Sequence, residues 1–272
     1  ETSLEHALLF NFVIHGVALV GMALLLLPTL PGGANADDAA RIALIAEHGK
    51  AIDKPLVVRL DGNNADLGRS ILESANLSVV TLEEEIRFIQ HLNRSAGRNV
   101  GIYPELKAPA WHRQDGRDLA SAVLPILRKY GYDAKDSACF VQCFELAEIK
   151  RLRGELAWKG KLIMLLGGKG KGPGETDFTY LQTDAGLAEL AKLVDGIGPP
   201  IGSYVTGKSP AERQVTDLAT RARKVGLVSH PYTLRADELP KCVTSVDELV
   251  KALFDEAKVD GLFTDFPDLI KR

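Results

Sequence analysis

Eight short apolar segments alternate with helical patterns along this 272-residue chain, and that order restricts the fold more than any other feature. The predicted strands are residues 9–15, 56–60, 100–106, 138–143, 162–166, 194–197, 226–229 and 261–264. Alternating strands and helices are typical of parallel sheets covered by helices. Eight such units in a chain of this length predict an α/β fold, a (β/α)8 TIM barrel. A doubly wound sheet is the alternative, but no Gly-x-Gly-x-x-Gly sequence opens a helix after the first strand.

The helical patterns between the strands carry start signals. Leu82, Ile86 and Ile89 recur on one face of a helix predicted over residues 82–92. Thr81 precedes them with the spacing of a capping box. Further helices are predicted at 119–130, 145–156, 187–193, 211–225 and 246–257, with Asp184 and Ser245 as N-terminal caps.

The composition argues against two kinds of function. The net charge is −3, from 33 basic and 36 acidic residues, so the overall charge does not favour nucleic acid as a partner. The three cysteines, Cys139, Cys143 and Cys242, are odd in number and lack the spacing of a zinc site. They are predicted to be buried thiols.

Residues 7–29 have no charged side chain apart from His15, and three interpretations of this segment stay open. Such a segment is long enough to span a bilayer, although its flanks lack the expected basic residues. It also resembles a secretory signal, with Ala34-Asn35-Ala36 as a cleavage-like sequence. The third interpretation is a buried strand followed by a buried helix, because residues 10–14 are mostly β-branched or aromatic.

The run 99–107 ends a predicted strand with two charged groups. Glu105 and Lys107 are two positions apart, so their side chains leave an extended strand on the same face. In a TIM barrel this position opens into the active-site mouth. There a carboxylate can bind a hard cation and a lysine can bind phosphate. The alternative is a surface ion pair at a strand end.

Residues just past the predicted strand ends share this mouth and form a larger candidate site. They are His15, Asp61, Glu105, Lys107, Gln142, His230 and Asp265. The set combines an acid–base group, oxygen ligands and a cation, which suits metal-assisted phosphoryl chemistry. Structural alternatives are a core histidine at His15, a turn at Asp61 and a loop hydrogen bond at Asp265. The glycine-rich run 167–174 follows the fifth strand and is predicted to be a flexible loop.

Four groups of segments resemble the glycerophosphodiester phosphodiesterase family, especially its periplasmic type. They are Thr-Leu-Glu-Glu-Glu-Ile (81–86) with Leu-Asn-Arg-Ser (92–95), Gly-Ile-Tyr-Pro-Glu-Leu-Lys-Ala-Pro (101–109) with His-Arg-Gln-Asp-Gly (112–116), Val-Gln-Cys-Phe (141–144), and His-Pro-Tyr-Thr-Leu-Arg (230–235) with Gly-Leu-Phe-Thr-Asp-Phe-Pro-Asp (261–268). The resemblance implies a TIM barrel that hydrolyses glycerophosphodiesters to glycerol 3-phosphate and an alcohol. It also implies a divalent metal ion, Ca²⁺ or Mg²⁺, and a periplasmic or exported protein.

The same resemblance implies roles for particular residues. Glu105 matches a metal-ligating glutamate and Lys107 matches a lysine near the phosphate. His230, Tyr232 and Phe266 match positions that line the mouth.

The resemblance fails at the start of the barrel. The family opens with His-Arg-Gly, Glu-x-Asp and His-Asp motifs, and residues 1–80 contain none of them. His15 is then the only candidate for a catalytic histidine from this part, and Asp61 is the only remaining candidate for a second metal carboxylate. Loss of the other groups predicts weak or absent hydrolysis.

Residues 54–77 resemble the C-terminal strand and helix of the succinyl-CoA synthetase β subunit, without its nucleotide-binding part. The predicted organisation is an apolar segment at 1–50, a foreign strand and helix at 51–79, and a phosphodiesterase-like barrel body at 80–272. Two other hypotheses are a non-catalytic scaffold barrel, natural or assembled from parts, and a fragment anchored in a membrane through residues 7–29.

Overall fold

The computed structural model describes residues 81–168 and 170–270. Within them, residues 93–270 belong to one compact unit and residues 81–92 belong to a second. His15, Asp61, the strands at 9–15 and 56–60, and the three interpretations of 7–29 lie outside the described residues. The divisions at 1–50 and 51–79 lie outside them as well, and the exported location stays a prediction.

The first described helix, α1, spans Leu82–Ala96 and begins with the predicted capping box. The Thr81 backbone N–H donates to Glu84 Oε2 at 2.9 Å, and the Glu84 N–H donates to Thr81 Oγ1 at 3.3 Å. These bonds satisfy two amides that the first helical turn leaves without partners. The prediction of a helix at 82–92 is therefore confirmed.

Strands in the described part of the chain form one parallel sheet and one hairpin. The strands are β1 (Phe140–Cys143), β2 (Lys161–Leu165), β3 (Gly196–Gly198), β4 (Val205–Thr206), β5 (Gln214–Val215) and β6 (Val228–Ser229). The parallel sheet has the order β1-β2-β3-β6, and β4 pairs antiparallel with β5. Parallel neighbours in this sequence order are what a strand–helix repeat produces.

Two further predicted strands extend this sheet at its edges. Ile102 and Glu105 form parallel bridges with Cys139 and Gln142, so residues 100–106 lie alongside β1. Beyond β6, Leu234 forms a parallel bridge with Thr264, which places the last predicted strand next in order. Six successive strands of the predicted repeat therefore run parallel and in sequence.

Helices alternate with these strands. They are α2 (Pro109–Gln114), α3 (Leu119–Lys129), α4 (Leu146–Arg153), α5 (Phe178–Leu181), α6 (Asp184–Leu190), α7 (Leu218–Lys224) and α8 (Val246–Lys251), which continues as a π-helix over Ala252–Glu256. Single 3₁₀ turns occur at Pro173–Glu175, Ile201–Ser203, Pro210–Glu212 and Pro267–Leu269. Among helices in the described part of the chain, none has the length and apolar character needed to cross a bilayer.

Two helix predictions need correction. Thr183, rather than Asp184, caps α6, because its side-chain oxygen accepts from the Gly186 N–H at 3.1 Å. The helix predicted at 211–225 begins only at Leu218. The residues before it form a 3₁₀ turn and then β5, whose backbone pairs with β4.

The side of the sheet that faces the helices is apolar and includes the sulfur groups. Val141 and Met164 are fully buried, as are Ile149 and Leu152 of α4. Cys139, Cys143 and Cys242 are free and buried, which confirms the prediction for the three cysteines. Burial raises the pKa of the Cys139 and Cys143 thiols to about 12, so both stay protonated at neutral pH.

Candidate active site at the carboxyl ends of the strands

The edge of the sheet beside β1 shows two layers of paired side chains. In the lower layer the rings of Tyr103 and Phe140 stack with centroids 5.1 Å apart. Side chains at i and i+2 of a strand share a face, so Glu105 and Gln142 project above these rings on the same face. The bridge between Glu105 and Gln142 shows that the two residues are direct neighbours across the strands.

The chain leaves the sheet immediately after Glu105. The Leu106 N–H donates to the Gln142 carbonyl oxygen at 2.9 Å, and no further bond of this ladder follows among the described residues. Lys107 is exposed at this point. Ala108 then adopts a left-handed backbone conformation with φ of 46°, which turns the chain into α2. Glu105 and Lys107 therefore lie at the strand end, as the sequence predicts.

Tyr232 lies close to Glu105. Its hydroxyl donates to the Leu166 carbonyl oxygen at 2.8 Å, and its ring meets Phe144 edge-on with centroids 5.9 Å apart. Burial raises the pKa of Tyr232 to about 12, and the negative charge of Glu105 adds to the effect. Tyr232 is thus a neutral aromatic neighbour of the carboxylate, held in place through Leu166.

His230 lies in the lower layer. Its Nδ1 atom is 3.0 Å from the Tyr103 hydroxyl, and its ring meets Phe140 edge-on at 5.4 Å. Burial lowers the pKa of His230 to about 4, so the imidazole is neutral at pH 7. The structure therefore groups His230 with the Tyr103 and Phe140 rings, one layer below Glu105.

The remaining predicted mouth residues follow the Leu234–Thr264 bridge. Asp265 is exposed, with its Oδ2 atom 4.0 Å from Nη1 of Arg235. Phe266 is half-buried, and its backbone N–H donates to Thr264 Oγ1 at 3.0 Å. In the described part of the chain, Glu105 thus pairs across the strands with Gln142 and its charge reaches Tyr232, whereas Asp265 pairs with Arg235.

Residues 170–178, in and after the glycine-rich run, are linked by backbone hydrogen bonds. The Gly172 N–H donates to the Thr176 carbonyl at 2.8 Å, and the Phe178 N–H donates to the Gly170 carbonyl at 2.9 Å. A Cβ atom at Gly172 would lie 2.0 Å from the Phe178 ring, so any larger residue would have to displace that ring. The periodicity of the sequence did not predict the packing of Phe178, because its ring packs against glycines of the preceding loop and not against a periodic apolar face.

The residues suited to a divalent metal are few. The described part of the chain contains no group of three or more His, Cys, Asp or Glu residues that could hold an ion. It does make Glu105 the cross-strand neighbour of Gln142, whose buried Oε1 atom has no hydrogen-bond partner. Both are oxygen donors of the kind that Ca²⁺ and Mg²⁺ prefer. These donors fit a hard cation in kind, and further ligands would have to complete the site.

A family model matches most of the chain. Residues 48–269 match the Glycerophosphoryl diester phosphodiesterase family. The match begins before the boundary predicted near residue 80, so it includes residues 54–77.

Individual relatives give the same result. The chain is 35% identical over 226 residues to a glycerophosphodiester phosphodiesterase of Haemophilus influenzae, and this match covers 76% of the chain and 62% of the relative. It is 29% identical over 206 residues to a protein of the same description from Treponema pallidum, covering 70% of the chain and 58% of that relative. The chain thus spans about three-fifths of the length of these relatives.

Among solved structures, a putative glycerophosphoryl diester phosphodiesterase from Silicibacter pomeroyi DSS-3 is 18% identical and matches with a TM-score of 0.47. That match covers 74% of this chain and 59% of the solved chain.

Proposed function

The chain belongs to the glycerophosphoryl diester phosphodiesterase family, and we propose that it binds glycerophosphodiesters at the carboxyl ends of its barrel strands. The TIM-barrel fold predicted from the sequence agrees with the family and with the parallel strands of the described residues. The proposed reaction is hydrolysis to glycerol 3-phosphate and an alcohol. We further propose that this chain catalyses it weakly or not at all.

The observation that carries the proposal is the placement of Glu105 and Lys107. Glu105 projects beside Gln142 at the end of its strand, and Lys107 is exposed directly beyond it. A phosphodiester carries one negative charge, which an ammonium group can bind by a charge-assisted hydrogen bond. A carboxylate at the same place would repel that phosphate unless a cation lay between them.

The family generally uses a divalent metal ion. We propose Ca²⁺ or Mg²⁺ here, with Glu105 as one ligand. When bound, such an ion polarises a phosphoryl oxygen and stabilises the charge that develops there. The chain's own contribution is to hold Glu105 at the strand end and Lys107 beside it.

Reduced activity is proposed because residues 1–80 offer only one candidate for each of two missing roles. His15 would have to act as the acid–base histidine, and Asp61 would have to be the second carboxylate. Residues 1–80 lack the three motifs that otherwise provide these groups. Removing groups that act as a unit typically costs many orders of magnitude in rate.

The test is an assay of the purified chain with glycerophosphocholine and Ca²⁺, in which released glycerol 3-phosphate is measured. We expect turnover at least roughly a hundredfold below that of relatives with all three motifs, since one general acid–base group alone is worth about 10²–10⁴. Turnover within tenfold of those relatives would show that other residues replace the missing motifs.

Calorimetry with Ca²⁺ and glycerol 3-phosphate separates the proposal from a scaffold without a site. We expect binding of both ligands by the unaltered chain and loss of Ca²⁺ binding in Glu105→Gln. Glu155→Gln is the matched control, because Glu155 is an exposed residue just after α4. Absence of binding by the unaltered chain would favour the scaffold and overturn the proposal.

A further inference from the structure

Gln142 has a buried acceptor that the fold does not satisfy. Its side chain is 7% exposed, and its Oε1 atom has no hydrogen-bond partner. An unpaired buried amide oxygen is destabilising, because it has lost its hydrogen bonds to water and gained none in the protein. Buried polar groups in folded proteins are nearly always paired, so this atom requires an explanation.

The neighbours of Gln142 explain why no partner comes from the sheet. Glu105 lies beside it on one strand, and Ile163 lies beside it in β2. Below it on the same face is the Phe140 ring, stacked on Tyr103. An aliphatic chain and an aromatic ring offer no donor, and the Glu105 carboxylate is itself an acceptor.

Three other buried polar atoms in the described part of the chain also make no hydrogen bond of good geometry, although two of them, the Tyr204 and Ser229 hydroxyls, lie close enough to interact with each other. They are Trp158 Nε1, Tyr204 Oη and Ser229 Oγ. An indole N–H and two hydroxyls can all act as donors, whereas an amide oxygen can only accept. Of the four residues that carry these atoms, Gln142 is the one that pairs across the strands with an acidic residue, Glu105, at the carboxyl edge of the sheet.

Two adjacent oxygen acceptors at the mouth of a barrel suit a cation. We propose that Gln142 Oε1 is a direct ligand of a divalent metal ion, together with the carboxylate of Glu105. Neutral amide oxygens of Asn and Gln are ordinary ligands of Ca²⁺, with contact distances of about 2.3–2.6 Å. Gln142 is then part of the binding site, and its buried oxygen is paired only in the metal-bound protein.

This inference rests on the proposed function, because it assigns a second ligand to the metal proposed there. It adds a neutral donor next to Glu105. A neutral ligand keeps the charge of the site low, and the number of charged ligands is one of the properties that tune calcium affinity.

The test is calorimetric titration of the full chain with Ca²⁺ alone. Outer-shell partners of metal ligands are already worth about 10- to 100-fold in affinity. We therefore expect Gln142→Leu to weaken Ca²⁺ binding by at least about tenfold. Gln214→Leu is the control, because it makes the same substitution at an exposed position in β5. It should leave the Ca²⁺ affinity within about twofold.

Gln142→Glu keeps the inference testable if the leucine variant does not fold. A second carboxylate beside Glu105 should tighten Ca²⁺ binding by at least about tenfold. In the absence of Ca²⁺ the same variant should unfold at a lower temperature, because two adjacent carboxylates repel each other. Added Ca²⁺ should then raise its unfolding temperature more than that of the unaltered chain.

The outcomes distinguish this inference from the function on which it rests. If the unaltered chain binds Ca²⁺ and Glu105→Gln abolishes binding, but both Gln142 variants bind normally, the assignment of Gln142 is overturned and the proposed site remains. If the unaltered chain does not bind Ca²⁺, both are overturned.

Discussion

Buried hydrogen-bond acceptors differ between two regions of the molecule, the helices α2 to α4 (the helical layer) and the carboxyl edge of the sheet. In the helical layer, Glu148 is fully buried and accepts hydrogen bonds from Arg113 and from Arg151, the latter at 3.0 Å. At the carboxyl edge, Gln142 Oε1 is also buried but has no donor. One acceptor is satisfied twice by its own chain, and the other is left unsatisfied.

The ion pairs of the helical layer continue into a network. Arg151 of α4 also pairs with Asp118, the residue that caps α3. The Arg151 guanidinium holds the pKa of Asp118 well below its usual range. Arg113 of α2 joins the same network through Glu148, so three helices are linked by charges that compensate one another.

The contrast suggests a way to separate structural from functional polar groups in this fold. A buried charge without a counter-charge is strongly destabilising, so structural charges come with partners from the chain itself. An acceptor left open at the rim of a barrel has no such structural explanation. The Glu148 network therefore stabilises the fold, and ligand binding is the role that we propose for Glu105 and Gln142.

The largest expected effect tests the structural half of this contrast. Glu148→Gln removes the buried carboxylate that accepts from Arg113 and Arg151, and a hydrogen bond between charged groups contributes about 1.5–3 kcal/mol. We expect a loss of that size in the free energy of unfolding measured with urea, with Ca²⁺ affinity unchanged in the folded protein.

Glu155→Gln is the matched control, because Glu155 pairs with the same Arg151 at 3.5 Å but is 69% exposed. An exposed pair contributes less than about 1 kcal/mol. A loss of stability below about 1 kcal/mol for Glu148→Gln would mean that the buried network is not structural.

A smaller effect is expected on acidification, through His230. Its pKa of about 4 lies below the ordinary value of 6.5, because burial disfavours the imidazolium. Between these values the unfolded chain binds a proton that the folded chain does not, so stability falls as the pH is lowered from about 6.5 to 4. By exposed area His230 is only half-buried, so screening by water reduces its expected contribution to that fall to about 2 kcal/mol.

Urea unfolding of the unaltered chain and of His230→Gln between pH 4.5 and 7.5 isolates this contribution as a difference. Tyr103→Phe removes the hydroxyl 3.0 Å from Nδ1 but keeps the burial, so it should retain the pH dependence. An NMR titration that gives His230 a pKa near 6.5 would contradict the placement of its ring in the buried layer.

Local patterns in the sequence were sufficient for most of the helices and strands. The helix predicted at 119–130 occurs at Leu119–Lys129, because its apolar period and its Asp118 cap are both encoded within a few residues. The failure at 211–225 has a non-local cause. Val215 pairs with Val205, and that pairing competes with helix formation for the same backbone groups.

The candidate site was predictable in part. The position of Glu105 at a strand end could be found from the apolar run before it, whereas the prediction that Lys107 shares its face stays a prediction, because the ladder ends at Leu106. The contact between Tyr103 and His230 joins residues 127 positions apart, and no periodicity reports it. The unsatisfied oxygen of Gln142 depends on Ile163, whose position beside it is fixed only by the register of β1 and β2.

The smallest expected effect concerns Lys107, at the open end of the site. A hydrogen bond to a charged group contributes about 1.5 kcal/mol at the lower end of its range, so Lys107→Met should weaken glycerol 3-phosphate binding about tenfold. Because Lys107 is exposed, the free energy of unfolding should change by less than about 0.5 kcal/mol.

Lys150→Met removes the same charge from an exposed position on α4 and controls for the change in net charge. Calorimetry at two salt concentrations distinguishes a direct Lys107–phosphate contact from a general effect of net charge. If only net charge matters, added salt should change glycerol 3-phosphate affinity by the same factor in both variants. Equal losses of glycerol 3-phosphate affinity in the two variants would mean that Lys107 acts through net charge. The ligand-binding half of the contrast would then rest on Glu105 and Gln142 alone.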